Sequence, residues 1–194
     1  MNPLIKAIQA RTAAVAISPS TVRGQGEGGV VDAAREFLTE LDLHRFGVGD
    51  AETFRAALRE ATNELKAAFP AKARSWGLAR KCLNIFLRDA LYTCYLRDEY
   101  DLALAEEWYE LPLDSVVVKA MKKKAPRRSL PQWLGVKHLT PDDSTKYQVY
   151  ALTLAEKMGI TRAHLDTYLW VEGRKIKPAA AGKRGSPVPA PAKG

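Results

Sequence analysis

The feature that most limits the possible folds is the spacing of apolar residues between positions 51 and 96. Two segments there, 51–69 and 71–96, carry large apolar residues at intervals of three, four or seven positions, which place them on one face of a helix. The residues of these two series are Phe54, Leu58, Leu65, Leu83, Leu87, Leu91 and Cys94. The spacing predicts two long amphipathic helices that bury one face each.

Proline, glycine and short polar residues divide the rest of the chain into further helices. Asp50, Asp114, Thr140 and Thr161 each stand directly before a helical pattern, as N-cap residues do. Further predicted helices cover Pro3 to about Ala16 and Val30 to Leu41, and predicted loops cover 18–29 and 125–140. The one strand-like signal, Val116 to Val118, is followed by lysines that favour a helix. We therefore predict an all-α fold.

The composition predicts one domain with a basic tail. With 194 residues, the chain is long enough for one well-packed core. We assign residues 1–172 to the helical domain and residues 173–194 to a disordered tail rich in Pro, Ala, Gly and Lys. This tail holds six of the eight net positive charges. No apolar run is long enough to span a membrane and no signal peptide is evident, so we expect a cytoplasmic, nucleoid-associated protein.

Charge within the predicted domain is segregated along the sequence. The runs 71–88 and 119–128 carry lysine and arginine without acidic residues, whereas the segment 98–110 between them is acidic. Two separate basic runs are the pattern expected of a protein that binds a polyanion. This pattern predicts a nucleic-acid-binding surface.

The segment from Ser75 to Lys81 combines a glycine that separates two helical patterns with a lysine, four residues later, that opens the second helix. Small residues at such a position let the backbone approach a phosphate group. The segment resembles the hairpin of helix-hairpin-helix base-excision DNA glycosylases, which reads Gly-x-Gly-x-Lys. Gly77 matches the first glycine, Ala79 replaces the second and Lys81 matches the catalytic lysine. Asn84 stands three positions after the lysine, as in endonuclease III-like members.

Three further segments extend this resemblance. Leu113 to Val117 is similar to the segment Val-Asp-Thr-His-Val, whose aspartate corresponds to Asp114. The interval of 33 residues between Lys81 and Asp114 is similarly long in the archaeal 8-oxoguanine glycosylases. That branch also carries an Asp-x-x-x-Trp element in its base pocket, and Asp166 and Trp170 have this spacing. Gln25 is a further candidate for the pocket.

The resemblance implies an all-α DNA glycosylase with a hairpin at about residues 70–95 and with AP-lyase activity. Lys81 is then the nucleophile that forms a Schiff base, and Asp114 stabilises the cation that develops on the sugar. Asp166 and Trp170 receive the base after it is flipped out of the helix. The resemblance implies no cofactor, and we expect a monomer that binds double-stranded DNA. The residues predicted to contact the DNA are Arg74, Ser75, Gly77, Ala79, Arg80, Lys119, Lys122 and Lys123.

Each candidate also has a non-catalytic interpretation. Lys81 can be a phosphate-binding lysine and Asp114 an ordinary N-cap. Trp170 can belong to the core, Asp166 to a solvated helix face, and Gln25 to a flexible loop. The alternative function is therefore a helix-hairpin-helix module that binds DNA without cutting it, and a third is a nucleoid protein that acts through its tail.

The substrate is open between two classes of base. The archaeal resemblance suggests 8-oxoguanine, but no tryptophan precedes Trp76, so aromatic pocket walls from that region are missing. An opened pocket suits a bulkier base, such as a hypermodified cytosine in phage DNA, with a role in antiviral defence. The three histidines show no metal-ligand spacing, and no cysteine quartet for an iron–sulfur cluster is present, so we predict no metal.

Overall fold

The computed structural model of the protein describes residues 2–24 and 28–174, and all regular elements within these ranges are helical. The eight α-helices are α1 (Pro3–Ala16), α2 (Val30–Glu40), α3 (Ala51–Ala68), α4 (Trp76–Tyr92), α5 (Cys94–Glu99), α6 (Ser115–Lys124), α7 (Pro141–Met158) and α8 (Arg162–Arg174). Short 3-10 helices cover Leu43–Phe46, Ala71–Ala73, Leu102–Trp108 and Val136–His138. The prediction of an all-α fold is confirmed for the described part of the chain.

Three of the predicted N-caps form the expected hydrogen bonds. The Asp50 side chain accepts a hydrogen bond from the Thr53 amide at 2.8 Å and begins α3. The Thr140 hydroxyl accepts one from the Asp143 amide at 3.1 Å, with Pro141 as the first residue of α7. Asp114 caps α6. These bonds satisfy amides that have no partner within the helix, which explains why the helices begin at these residues.

Helix α4 is central to the fold and packs against α1, α2 and α3. Its apolar face is buried as predicted, with Leu83, Leu87 and Leu91 at most 3 % exposed. The predicted continuation of this face to Cys94 is wrong. The helix ends at Tyr92, the shorter helix α5 begins at Cys94, and the Cys94 side chain is exposed.

The buried side chains form two clusters. The larger lies among α1–α5 and includes Phe54 and Phe86. The smaller lies among α6, α7 and α8 and includes Tyr147 and Leu165. Helices α6 and α8 pack against each other. The segment around Val136 crosses from the second group onto α4 and connects the two.

The predicted role of Gly77 as a break between two helices is wrong. Ser75 caps α4 by accepting a hydrogen bond from the Leu78 amide at 3.3 Å, so Gly77 lies inside the first turn of the helix. A Cβ atom at Gly77 would lie 2.2 Å from the carbonyl oxygen of Val136 and 2.7 Å from Cβ of Leu139. Glycine is therefore required here because the 136–139 segment packs directly on the start of α4.

Two predictions fall outside the described residues or at their edge. Gln25 and residues 175–194 of the predicted tail lie outside the described ranges. Helix α8 extends to Arg174, two residues past the predicted end of the helical domain. Within 2–24 and 28–174, none of the helices combines the length and the apolar character that a membrane crossing requires.

Candidate active site

A cavity of about 890 Å³ is lined by residues from α1, α4, α6 and α8, and by the turn that follows α1. Its walls include four of the site residues predicted from the sequence: Lys81, Asp114, Asp166 and Trp170. The volume lies in the upper part of the range of pockets that hold small molecules, roughly 300–1,000 Å³. The fold thus brings the predicted nucleophile, the predicted carboxylate and the predicted base pocket into one site.

Lys81 lies in the second turn of α4 and is largely enclosed. Its side chain lines the cavity although the residue is only 9 % exposed. The Nζ atom donates a hydrogen bond of 2.7 Å to the backbone carbonyl oxygen of Thr21, in the turn after α1. A lysine in this position faces the cavity rather than bulk solvent.

Asp114 is held at the N-terminus of α6. Its Oδ1 atom accepts hydrogen bonds of 2.8 Å from the backbone amides of Val116 and Val117. The interpretation of Asp114 as an N-cap is therefore confirmed. Because a carboxylate has a second oxygen, capping and catalysis are compatible, and the cap fixes the carboxylate at the cavity wall.

Asp166 belongs to a buried group of charges. It forms an ion pair with Arg88 of α4, and Arg88 also pairs with Asp89 at 2.7 Å. Burial raises the pKa of the Asp166 carboxyl to about 6. Arg88 opposes this rise in pKa, whereas the charges of Asp114 and Asp89 add to it. The interpretation of Asp166 as a solvated helix residue is wrong, because it is only 7 % exposed.

The cavity also has exposed apolar side chains among its lining residues. Trp170 is 39 % exposed, Tyr92 is 47 % exposed, and Val15 and Val171 are 70 % and 41 % exposed. Trp170 is therefore not a core residue. Aromatic side chains that are accessible from a cavity can stack on a flat ring such as a nucleobase.

A chain of polar groups connects Tyr92 to α8 and to the 3-10 helix Leu102–Trp108. The Tyr92 hydroxyl lies 3.0 Å from Nδ1 of His164, and the two rings are stacked. Nε2 of His164 lies 2.9 Å from a carboxylate oxygen of Glu106. These contacts fix the distance between α4 and α8 beside the cavity.

No family model, curated protein or solved structure matches the chain. The resemblance to helix-hairpin-helix glycosylases therefore rests on its motif residues alone. Of those residues, Lys81, Asp114, Asp166 and Trp170 have the positions in the cavity described above.

Four of the predicted DNA contacts have exposed side chains. Lys119, Lys122 and Lys123 project from α6, the helix whose first turn is capped by Asp114, and Arg74 lies before α4. The Nε atom of Arg74 donates a hydrogen bond of 3.0 Å to the carbonyl oxygen of Phe69. Ser75 is half-buried and caps α4. The three lysines of α6 are the ones best placed to contact a polyanion.

The other three predicted contacts lie in the interior, which corrects their assignment. Ala79 is fully buried and Gly77 is covered by the 136–139 segment. The Arg80 side chain is only 11 % exposed and lies 3.6 Å from the carboxylate of Glu110. It also donates a hydrogen bond of 3.0 Å to the carbonyl oxygen of Leu58. The Arg80 guanidinium thus makes its polar contacts with groups inside the fold.

Within the described residues, no group of three or more His, Cys, Asp or Glu side chains is arranged to hold a metal ion. The carboxylates that line the cavity are instead accompanied by the cations Lys81 and Arg88.

Three residues that were not predicted from the sequence also belong to the site: Arg88, Tyr92 and Thr21. Arg88 lies seven positions after Lys81, and Tyr92 four positions after Arg88, so these three residues of α4 occupy one face of the helix. This periodicity was a usable signal for Arg88 and Tyr92. Thr21 had no comparable signal, since it lies 60 positions from Lys81 in a predicted loop.

Proposed function

We propose that the protein is a DNA glycosylase with AP-lyase activity, of the helix-hairpin-helix type, that excises a damaged or modified base. The observation that carries this proposal is that Lys81 and Asp114 line the same cavity. A nucleophilic amine and a carboxylate in one cavity are the two groups that a glycosylase acting through a Schiff base uses. The cavity is also large enough to receive a flipped nucleotide.

The reaction follows from the properties of these two side chains. The lone pair of the neutral Lys81 amine attacks C1′ of the sugar, and the electron pair of the N-glycosidic bond leaves with the base, which takes up a proton. Positive charge develops on the sugar during this step, and the Asp114 carboxylate stabilises it. The nitrogen then loses a proton, and its lone pair forms the C=N bond of the Schiff base as the bond between C1′ and the ring oxygen breaks. The ring oxygen takes up a proton and becomes a hydroxyl group.

The enclosure of Lys81 favours catalysis over the alternative of a non-catalytic DNA-binding module. A lysine that only neutralises a backbone phosphate acts best on an exposed surface. Lys119 of α6 is exposed in this way. Lys81 is 9 % exposed and lines a cavity. A single nucleotide that is extruded from the duplex can enter a cavity of this volume and reach the amine.

The remaining site residues suit the binding of a base and of DNA. Trp170 can stack on the extruded base, and Asp166 can form a hydrogen bond with its edge. The exposed lysines Lys119, Lys122 and Lys123, the last two in the final turn of α6, can bind the phosphate backbone of the duplex. We keep 8-oxoguanine and a hypermodified phage cytosine as the two substrate candidates, which correspond to roles in DNA repair and in antiviral defence.

Borohydride trapping tests this proposal directly. Wild-type protein is incubated with duplexes that carry an abasic site, 8-oxoguanine, uracil or a hypermodified cytosine, and borohydride then reduces any Schiff base to a stable amine. We expect a covalent protein–DNA adduct with the abasic duplex and with one of the base-containing duplexes. Absence of an adduct with all four duplexes, together with no base release from the three that carry a base, would favour the non-catalytic module.

A further inference from the structure

The turn after α1 supplies the hydrogen-bond partner of Lys81. The Thr21 carbonyl oxygen accepts a hydrogen bond of 2.7 Å from Nζ. Among the described residues, Lys81 takes part in none of the ion pairs within 4.0 Å. Its amine is thus held by a neutral carbonyl group, although carboxylates line other parts of the same cavity.

The kind of partner matters for a nucleophilic amine. An ammonium group has no lone pair, and a carboxylate partner stabilises that charged form. A carbonyl oxygen can accept a hydrogen bond from the neutral amine as well as from the ammonium. If the neutral amine donates one N–H to a fixed carbonyl, the possible directions of its lone pair are restricted.

The Thr21 carbonyl is fixed because the Thr21 side chain ties the turn to the end of α1. The Thr21 hydroxyl donates a hydrogen bond of 3.1 Å to the carbonyl oxygen of Ala16 and accepts one of 3.2 Å from the Ser18 amide. The Thr21 amide donates one of 2.9 Å to the Ser18 carbonyl. Arg35 of α2 anchors the start of the turn, since its Nε donates to the carbonyl oxygen of Ile17 at 2.8 Å.

We propose that Thr21 is a positioning residue for Lys81. Its hydroxyl holds the 18–21 turn against α1, and the turn presents the Thr21 carbonyl to Nζ, which directs the amine towards the sugar carbon. This inference rests on the proposed function of Lys81. A misplacement of about 1 Å in such an arrangement can lower a reaction rate by about 100-fold.

The test compares two substitutions of Thr21 with a matched control. Thr21→Val removes the hydroxyl and keeps the branched side chain, whereas Thr21→Ser keeps the hydroxyl. Thr12→Val is the control, because the Thr12 hydroxyl donates a similar hydrogen bond of 2.9 Å to the carbonyl oxygen of Ile8, within α1. For each variant we measure the single-turnover rate of adduct formation on a saturating abasic duplex, the Kd for that duplex and the melting temperature.

We expect Thr21→Val to lower the single-turnover rate by about 10- to 100-fold with an unchanged Kd. Thr21→Ser and Thr12→Val should both stay within about threefold of the wild-type rate. An unchanged rate in Thr21→Val, or an equal loss in Thr21→Ser or Thr12→Val, overturns the inference while the proposed function stands. Absence of an adduct with the wild-type protein overturns both.

A second variant keeps the test decisive if Thr21→Val fails to fold. Ser18→Ala removes a second hydroxyl of the turn, whose oxygen lies 3.1 Å from the Thr21 hydroxyl. We expect this variant to fold and to lose about three- to tenfold in the single-turnover rate, because the turn is held by fewer bonds. A wild-type rate in folded Ser18→Ala overturns the inference.

Discussion

Arg88 of α4 forms an ion pair with Asp166 of α8 at the wall of the cavity. The Asp166 side chain is buried among groups that include Asp89 and Asp114, whose negative charges oppose its ionisation. Arg88 offsets only part of the free-energy cost of ionising the buried Asp166 carboxyl, so the pKa of Asp166 is raised to about 6. The pair therefore holds a carboxyl group that changes its charge just below neutral pH.

The raised pKa of Asp166 predicts a pH dependence of stability. An unfolded aspartate has a pKa of about 3.9. The folded state binds the carboxyl proton of Asp166 more tightly than the unfolded state does. This proton binding stabilises the fold at pH values below about 4, and the stabilisation is lost as the pH rises through 6. Asparagine does not titrate in this range. The unfolding free energy of Asp166→Asn minus that of wild type should therefore rise by up to about 3 kcal/mol between pH 4 and pH 7.

Urea unfolding of both proteins at a series of pH values measures this difference. A difference between variant and wild type that does not change with pH would contradict the prediction.

The cap and the charge of Asp114 can be separated by one substitution. Asn caps helices as well as Asp does, so Asp114→Asn should change the unfolding free energy by less than about 0.5 kcal/mol. It removes the negative charge that stabilises the sugar cation, so base release should fall by at least about 100-fold. Asp50→Asn makes the same change at the N-cap of α3 and should leave base release unchanged. An Asp114→Asn variant with the wild-type rate would refute the assigned role.

Gly77→Ala should destabilise the protein. The added methyl group would lie 2.2 Å from the Val136 carbonyl oxygen, so the 136–139 segment must move away from α4. Such overpacking should cost at least about 2 kcal/mol. Gly49→Ala is the control, because a Cβ at that position meets no atom within 4 Å. Equal urea midpoints for the two variants would contradict the role given to Gly77.

The exposed lysines of α6 should set the salt dependence of DNA binding. Replacement of Lys119, Lys122 and Lys123 by Gln should weaken binding to all duplex sequences alike. It should also reduce the slope of log K against log salt by up to about 3, because each phosphate contact contributes about 1. The double variant Lys6→Gln, Lys157→Gln removes exposed charges from α1 and α7 and should leave the slope nearly unchanged. Fluorescence anisotropy at several salt concentrations provides the measurement.

The helices and their starting residues were predictable because the signals are local. The apolar period of Leu83, Leu87 and Leu91 and the caps at Asp50 and Asp114 depend on residues a few positions apart. The break of α4 after Tyr92 was missed, since the apolar spacing continues to Cys94 while the chain turns.

The directions of side chains along a charged run were less predictable. Arg80 and Lys81 are neighbours in one basic run, but consecutive residues of a helix point about 100° apart. Lys81 therefore lines the cavity, whereas Arg80 lies beside Glu110 and Leu58. Charge counted along the sequence did not distinguish these two environments.

The parts of the site that depend on distant segments could not be predicted. The contact of Lys81 with Thr21 joins residues 60 positions apart, and the packing of Val136 on Gly77 joins another distant pair. Neither contact leaves a periodic or compositional signal in the sequence. The four residues chosen by motif did converge on the cavity, but the residues that hold and surround them became visible only in the fold.

The most direct test of the proposed function is to identify the residue that carries the adduct. The protein is trapped on an abasic duplex with borohydride, digested with protease and nuclease, and its peptides are analysed by mass spectrometry, with Lys81→Gln treated in parallel. We expect the DNA-derived mass on Lys81 and no adduct with Lys81→Gln, which should still bind the duplex. An adduct on another amine, or an undiminished adduct with Lys81→Gln, would contradict the assignment of Lys81 as the nucleophile.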